Sequence, residues 1–212
     1  KPLITSDPAK EPQRVLSLLL REGRKHLEKS VLFPASDANV LLVSRFRREL
    51  SECFHFAIPS EEIVESVINK RMLYELAERA GIPYPKTHYP ASLQDVQKVK
   101  DDIQYPVYIK PYYSHVWQER YRSKGFVAKS SSEMIAKYKE LFDADIGAML
   151  QSIVTGPDSN IVDVCAYLSE KSEPLAAFVA RKLRQYPNKF GVGTCKESMH
   201  DPTLLETGLR FF

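Results

Sequence analysis

The residue with the most distinctive chemical setting in this sequence is Lys110. It lies in the otherwise apolar segment 105–111, where strand alternation places Val107 and Ile109 on one face and Lys110 on the other. An ammonium group inside such a strand needs a polar or anionic partner, because its desolvation is costly, and a phosphate would serve. The alternative is a lysine that protects an edge strand from pairing, and the strand alone does not decide between the two.

A second lysine occupies a position that suits an anion. Lys70 follows Asn69, a candidate N-cap, so backbone amides and a cation would both be available to a phosphate at this helix start. Gly81 marks the end of the same helix. Taken alone, the position favours an ordinary solvated lysine.

The segment 149–158 predicts a strand that runs into a turn. Alternation puts Gln151 and Ile153 on one face, and Asp158 in the turn offers a carboxylate to ribose hydroxyls. A purine needs a backbone donor and acceptor between aliphatic walls, and such a strand end provides them. An ordinary hairpin with a polar turn is the alternative, and it is favoured without further context.

Another predicted strand, 174–185, carries a basic cluster. Alternation places Arg181 on one face and Lys182 with Arg184 on the other. Such a cluster would hold a carboxylate or phosphate, which arginine grips with two parallel hydrogen bonds. A solvated sheet face explains the same residues equally well.

Metal binding and a phosphate-binding loop of the usual glycine-rich kind are not indicated. The polar stretch 114–124 is predicted to be irregular, a segment able to act as a mobile lid, and its first glycine is Gly125. Neither the histidines nor the widely spaced cysteines have ligand or disulfide spacing. These are His26, His55, His88, His115 and His200, with Cys53, Cys165 and Cys195.

Composition narrows the class of protein. Thirty Lys and Arg against 27 Asp and Glu give a net charge of +3 over 212 residues, without the concentrated basic stripe of a nucleic-acid binder. No apolar run approaches a membrane span, and no secretion signal opens the chain. A cytoplasmic protein with no nucleic-acid or membrane partner is expected.

The order of elements predicts two kinds of architecture. Residues 1–60 show a helix–strand–helix–strand order typical of a parallel α/β layer, with a short buried strand at 31–34 and another short strand at 53–58. Helices follow, capped by Ser60, Asn69 and Ser92. From residue 106 the period becomes alternating, which predicts an α+β part with a largely antiparallel sheet and one helix capped by Ser131 or Ser132.

Four sequence motifs, each weak evidence when taken alone, occur along the chain in an order that is more specific for a protein family than any single motif. The motifs at 69–74, 81–87, 105–111 and 151–158 together resemble the ATP-grasp superfamily. Segments 32–37, 175–187 and 190–194 are similar to its uncharacterised carboxylate–amine ligase group. The resemblance covers nearly the whole chain.

The resemblance implies roles for particular residues. Arg181 and Lys182 would be catalytic, facing the acyl phosphate or the substrate carboxylate. The nucleotide-binding candidates are Lys70 and Lys110 at the phosphates, Gln151 at the adenine edge, Ser152, Ile153 and Val154 at the hinge, Asp158 at the ribose, and Ser114, His115 and Lys124 in the segment that replaces the glycine-rich lid.

The implied fold is α+β: an ATP-grasp-type fold, with antiparallel sheets and flanking helices, after a partial α/β pre-ATP-grasp domain. The expected division is the partial domain at 1–60, connecting helices and an N-terminal lobe at 61–147, and an incomplete C-terminal lobe at 148–212. In the implied reaction a carboxylate attacks the γ-phosphate of ATP, and an amine then displaces phosphate from the acyl phosphate. ATP and magnesium would be the cofactors.

The same resemblance sets limits on this chain. The family's magnesium ligands lie on strands expected after residue 212, so we expect no metal ligand within it and no turnover by it alone. Its partners would be a small anionic carboxylate and an amine, and a homo-oligomer is compatible with the sequence. The alternative is a non-catalytic nucleotide-binding or interaction module on the same scaffold.

Overall fold

The computed structural model describes residues 5–186 and 190–212. The chain divides into two compact units, one that ends at Leu73 and one that spans Tyr74–Phe212. The division into three parts at residues 60 and 147 stays a prediction.

The first unit is a small parallel α/β layer. Strands β1 (Ser30–Val31) and β2 (Phe54–His55) pair in parallel, as predicted. Ser36 accepts from the backbone N–H of Asn39, and Ser60 caps its helix in the same way. The helices are α1 (Pro12–Gly23), α2 (Asp37–Arg45), α3 (Arg47–Leu50) and α4 (Glu61–Ile68).

The prediction of a buried strand at 31–34 was wrong. β1 ends at Val31, and the Phe33 side chain is largely exposed. The apolar residues at 31–33 suggested a buried strand, but only two residues of β1 form pairs with β2. The core of this unit is instead formed by α1, α2, α3 and the segment around β2, through Val15, Leu16, Leu42, Val43, Leu50, Cys53 and Phe54.

Helix α5 (Lys70–Arg79) contains the boundary between the units. Asn69 Oδ1 accepts from the backbone N–H of Arg71 at 3.0 Å, which confirms the predicted cap. At the other end Gly81 has φ +65° and Ile82 N donates to Ala77 O at 2.8 Å, the usual left-handed helix stop.

The second unit contains two antiparallel sheets. The first has the order β3 (Thr87–His88), β6 (Ala148–Ser152), β4 (Val107–Pro111) and β5 (Phe126–Ala128). The second joins β7 (Val162–Leu168), β8 (Pro174–Tyr186) and β9 (Val192–Met199). The helices are α6 (Leu93–Val99), α7 (Ser114–Tyr121), α8 (Ser131–Asp143) and α9 (Pro202–Phe211), and the α+β class is confirmed.

Helix positions in this unit follow their caps closely. Ser92 caps its helix as predicted and forms a capping box with Asp95, since Asp95 N donates to Ser92 Oγ and Asp95 Oδ2 accepts from Ala91 N. Helix α8 begins one residue earlier than predicted, because Ser130 rather than Ser131 or Ser132 is its cap. Strand β9 was not among the predicted strands.

The prediction that 114–124 is irregular was wrong. Residues Ser114–Tyr121 form α7, and the Trp117 side chain is 1% exposed. Its Nε1 donates to Ser123 Oγ at 2.9 Å, which ties the end of the segment to the helix. A short helix that buries one large residue leaves little periodic signal in a polar stretch.

Candidate functional site: a lysine cluster beside a cleft

Lys110 lies on an interior strand of the four-stranded sheet. β4 pairs with β6 on one side and β5 on the other, so the alternative of an edge-protecting lysine was wrong. The predicted alternation is observed. Val107 and Ile109 enter the core, while Lys110 lies on the opposite face.

Two oxygen atoms accept hydrogen bonds from the Lys110 ammonium. The hydroxyl of Tyr74 lies 2.7 Å from Lys110 Nζ, and Oε1 of Gln151 lies 3.3 Å from it. The Gln151 side chain is only 7% exposed, so this is a largely desolvated polar pair. Neither acceptor is charged, and the positive charge of Lys110 therefore remains uncompensated by these partners.

Lys124 lies near both Lys110 and Lys182. Burial, followed by repulsion from Lys182 and Lys110, lowers the pKa of Lys124. Lys124 Nζ donates to the carbonyl of Gly191 at 3.1 Å, and Lys182, 9% exposed, donates to Gln185 Oε1 at 3.3 Å. Each of the three ammonium groups donates to neutral acceptors, so their positive charges are not balanced by these partners. Such a group of lysines favours the binding of a polyanion.

Strand β8 carries Lys182 into this cluster, but not Arg184. A register irregularity lies between Lys182 and Arg184, and it interrupts the alternation. Lys182 therefore shares its side with Gln185, whereas Arg184 is exposed. The prediction that Lys182 and Arg184 share a face was wrong for this reason.

Arg181 lies outside the lysine cluster. Its guanidinium makes an ion pair with Glu197 on β9, through Nε at 2.9 Å and through a second, shorter contact from the same group. Both side chains are more than 40% exposed. Catalytic roles for Arg181 and for Lys182 stay predictions.

A cleft of about 440 Å³ adjoins the cluster, a volume typical of small-molecule sites. Its apolar wall includes Tyr108, whose ring stacks on Phe190 with centroids 4.4 Å apart. Burial raises the pKa of Tyr108 to about 12, so the phenol stays neutral. The cleft is lined by Tyr108, Gln118, Arg122, Ser123, Lys124, Gly125, Val127, Phe190 and Val192.

The glycine that follows Lys124 is required by close packing. A Cβ at Gly125 would lie 2.5 Å from the carbonyl oxygen of Ile109 and 2.7 Å from the Tyr108 ring. Such contacts are too short for any side chain, so only glycine lets the chain approach β4 this closely just before β5 begins. Lys124 is thereby carried to the mouth of the cleft.

The predicted hinge lies at the end of β6. Gln151 is opposite Tyr108 in the register of β4 and β6, so the hinge begins beside the aromatic wall of the cleft. β6 ends at Ser152, and Ile153 and Val154 continue as irregular chain. Asp158 opens a short 3-10 turn, Asp158–Asn160. Roles in adenine and ribose binding for these residues stay predictions.

The remaining predicted residues lie on two helices. Ser114 and His115 open α7, and the His115 ring makes an edge contact with Tyr113. Lys70 opens α5 and belongs to the first unit. Their roles in nucleotide binding also stay predictions.

Sequence reasoning did not assign a role to Tyr74 or Thr87. Tyr74 precedes the buried Ala77 by three residues, and this helical spacing was a signal for an inward-facing hydroxyl. Thr87 gave no such signal, because its contact with Gln151 depends on strand pairing across 64 residues. Both residues are part of the Lys110 environment.

Two properties of the described residues bear on function. Across residues 5–186 and 190–212, no three His, Cys, Asp or Glu side chains come together in a way that would hold a metal ion. None of the helices in this part of the chain combines the length and apolar character that a bilayer crossing requires.

The chain is similar in sequence to the D-aspartate ligase of Enterococcus faecium (strain Aus0004). The two are 25% identical over 203 residues, which are 91% of this chain and 48% of that protein. The chain thus spans about half the length of this relative. No protein-family model matches it.

Solved structures share the fold. The L-amino acid ligase from Bacillus licheniformis superposes with a TM-score of 0.62 at 12% identity, over 95% of this chain and 46% of that one. The biotin carboxylase domain of Hydrogenobacter thermophilus 2-oxoglutarate carboxylase, solved with MgADP, ADP and bicarbonate, gives 0.63 at 14% identity, over 85% and 39%.

These comparisons define the class of the fold. The chain has the ATP-grasp fold, and the resemblance inferred from its ordered motifs is confirmed at this level. Its similarity in sequence is to a D-aspartate ligase.

Proposed function

We propose that this chain is the nucleotide-binding portion of an ATP-dependent ligase that joins a carboxylate to an amine. The observation that carries the proposal is the convergence of Lys110, Lys124 and Lys182 beside the cleft, on a fold that ligases share. The substrates would be ATP, a small anionic carboxylate and an amine. When bound, ATP supplies the phosphoryl group that converts the carboxylate into an acyl phosphate.

The residues of the cluster would act by position and charge. Lys110 and Lys124 donate to phosphate oxygens, and Lys182 neutralises charge where the carboxylate meets the transferred group. The Tyr108 face and the hinge from Gln151 to Val154 accommodate the base. The described residues offer no acidic cluster that fits magnesium, so no step is assigned to the ion.

The proposal is tested by calorimetric titration of the chain with ATP and with ADP. We expect binding that Lys182→Met weakens by roughly tenfold, since a charge-assisted hydrogen bond contributes about 1.5–3 kcal/mol. Lys171→Met is the matched control, because Lys171 is exposed in the turn before β8 and the change in net charge is the same. Equal loss in both variants, or no titratable binding by the folded chain, would contradict the proposal.

The lowered pKa of Lys124 gives a second expected result. An anion at the cluster stabilises the ammonium form, so binding raises the pKa of Lys124 and the complex takes up protons. Uptake is small at neutral pH, where Lys124 is already charged, and it grows as the pH rises toward the ordinary lysine pKa of about 10.4. The measurement is the binding enthalpy in two buffers of different ionisation enthalpy. Lys124→Met should abolish this pH-dependent uptake, and proton release by the wild type would be the opposite of what we expect.

A further inference from the structure

A continuous chain of hydrogen bonds leads from Lys110 to the backbone before β3. Lys110 Nζ donates to the Tyr74 hydroxyl and to Gln151 Oε1, and Tyr74 in turn donates to Gln151 Oε1 at 3.4 Å. Gln151 Nε2 donates to Thr87 Oγ1 at 3.1 Å. The Thr87 hydroxyl donates to the carbonyl of Pro85 at 2.6 Å.

The Pro85 carbonyl, at the end of this series of hydrogen bonds, determines which atom donates in each of the others. The Thr87 hydroxyl has one proton, and it is committed to the Pro85 carbonyl, which can only accept. Toward Gln151 the same oxygen is therefore an acceptor, and it requires the NH₂ group of the amide. The carbonyl oxygen of Gln151 must then face Lys110, which is the orientation that an ammonium group needs.

Strand pairing holds the two residues opposite each other. Thr87 and Gln151 are register partners in the antiparallel pair of β3 and β6, so their side chains project to the same side of the sheet. The backbone supports this register, because Ser152 N donates to Lys86 O at 2.9 Å. Thr87 does not contact Lys110 itself, and any effect on the lysine passes through Gln151.

We infer that Thr87 and Tyr74 are positioning residues for Lys110. Thr87 fixes the orientation of the Gln151 amide, and Tyr74 supplies the second acceptor, so the ammonium is held in place without a countercharge. The consequence for phosphate binding rests on the function proposed above. The positioning itself is a property of the unliganded chain and is testable without nucleotide.

The first test is the acylation rate of Lys110 in the unliganded chain. An amine-reactive acetylating reagent is added at fixed pH, and mass spectrometry follows the Lys110 peptide relative to the exposed Lys171 as an internal reference. Thr87→Val keeps the shape of the side chain but releases the amide. We expect the relative rate to rise roughly tenfold, because the released amide no longer holds its oxygen toward Lys110 and the ammonium then loses that hydrogen bond. Thr87→Ser retains the hydroxyl and should restore the wild-type rate.

Tyr74→Phe provides an independent variant if Thr87→Val does not fold. It removes one acceptor of Lys110, and a similar rise in rate is expected. Tyr84→Phe is its control, because the Tyr84 ring stacks on Tyr74 with centroids 5.3 Å apart, but its hydroxyl is outside the chain of bonds. A loss of thermal stability with an unchanged Lys110 rate in both test variants would overturn the inference.

Nucleotide titration of the same variants separates this inference from the proposed function. With both correct, Thr87→Val weakens ATP binding by roughly tenfold and Thr87→Ser does not. If the wild type binds no nucleotide while the acylation rates change as expected, the positioning stands and the proposed function fails. If the wild type binds nucleotide and the Lys110 rate is insensitive to Thr87 and Tyr74, the positioning fails alone.

Discussion

Replacement of Lys110 by methionine is expected to weaken ATP binding by roughly 100-fold, about 2.7 kcal/mol, which lies near the upper end of the range for one charge-assisted hydrogen bond. Methionine keeps most of the aliphatic stem and removes only the charge. The loss should exceed that at Lys182, because Lys110 is held on an interior strand by two acceptors and is pre-organised for a ligand. Calorimetry at constant ionic strength measures the ratio of dissociation constants.

The matched comparison is again Lys171→Met, which should bind ATP as the wild type does. Thermal unfolding of the Lys110 variant is needed beside the titration, because Tyr74 and Gln151 lose a donor when the ammonium is removed. A folded Lys110→Met chain with wild-type affinity would place the phosphates elsewhere and remove the main support for the site. A selective loss supports the predicted role of Lys110.

Local signals in the sequence were sufficient for most of the helix starts and for the setting of Lys110. Ser60, Asn69 and Ser92 each cap the helix that their position predicted. These features depend on neighbours within three or four residues, where the choice of conformations is small. The alternation around Lys110 has the same origin, because successive side chains on a strand point to opposite faces.

The features that sequence reasoning missed depend on distant contacts. The shift of register between Lys182 and Arg184 is set by pairing with β9, and strand parity alone cannot show it. The link from Thr87 to Gln151 requires the knowledge that β3 pairs with β6. A polar stretch such as 114–124 becomes helical because one side chain, Trp117, finds a buried position against residues further along the chain.

In the candidate site, too, single residues were predictable from their neighbours in sequence, whereas contacts between distant segments were not. Lys110 and Lys182 were identifiable as residues in unusual settings, but their convergence with Lys124 follows only from the packing of two sheets in one unit. Likewise Tyr108 was placed on the correct face, whereas its stack on Phe190 could not be foreseen. Residue types therefore indicated an anion site, and the tertiary structure supplied the cleft.

The largest effect on stability is expected from Trp117→Ala in α7. Trp117 is 1% exposed and packs on the Tyr121 ring, with centroids 4.6 Å apart. Lys137 Nζ lies 3.8 Å from the centre of the Tyr121 ring and pairs with Glu140 at 2.8 Å, so α7 and α8 are joined through this cluster. Truncation of a buried tryptophan to alanine typically costs about 3–5 kcal/mol in the free energy of unfolding.

Urea unfolding followed by circular dichroism measures this loss, because Trp117 is the sole tryptophan and the variant has no indole fluorescence. Val116→Ala, at an exposed position of the same helix, should change the free energy of unfolding by less than about 0.5 kcal/mol. Trp117→Ala should also weaken ATP binding, since its Nε1 holds Ser123 beside Lys124. Unfolding within about 1 kcal/mol of the wild type would show that α7 is not an anchored part of the core, and the segment would then act as the mobile lid that its polar sequence suggested.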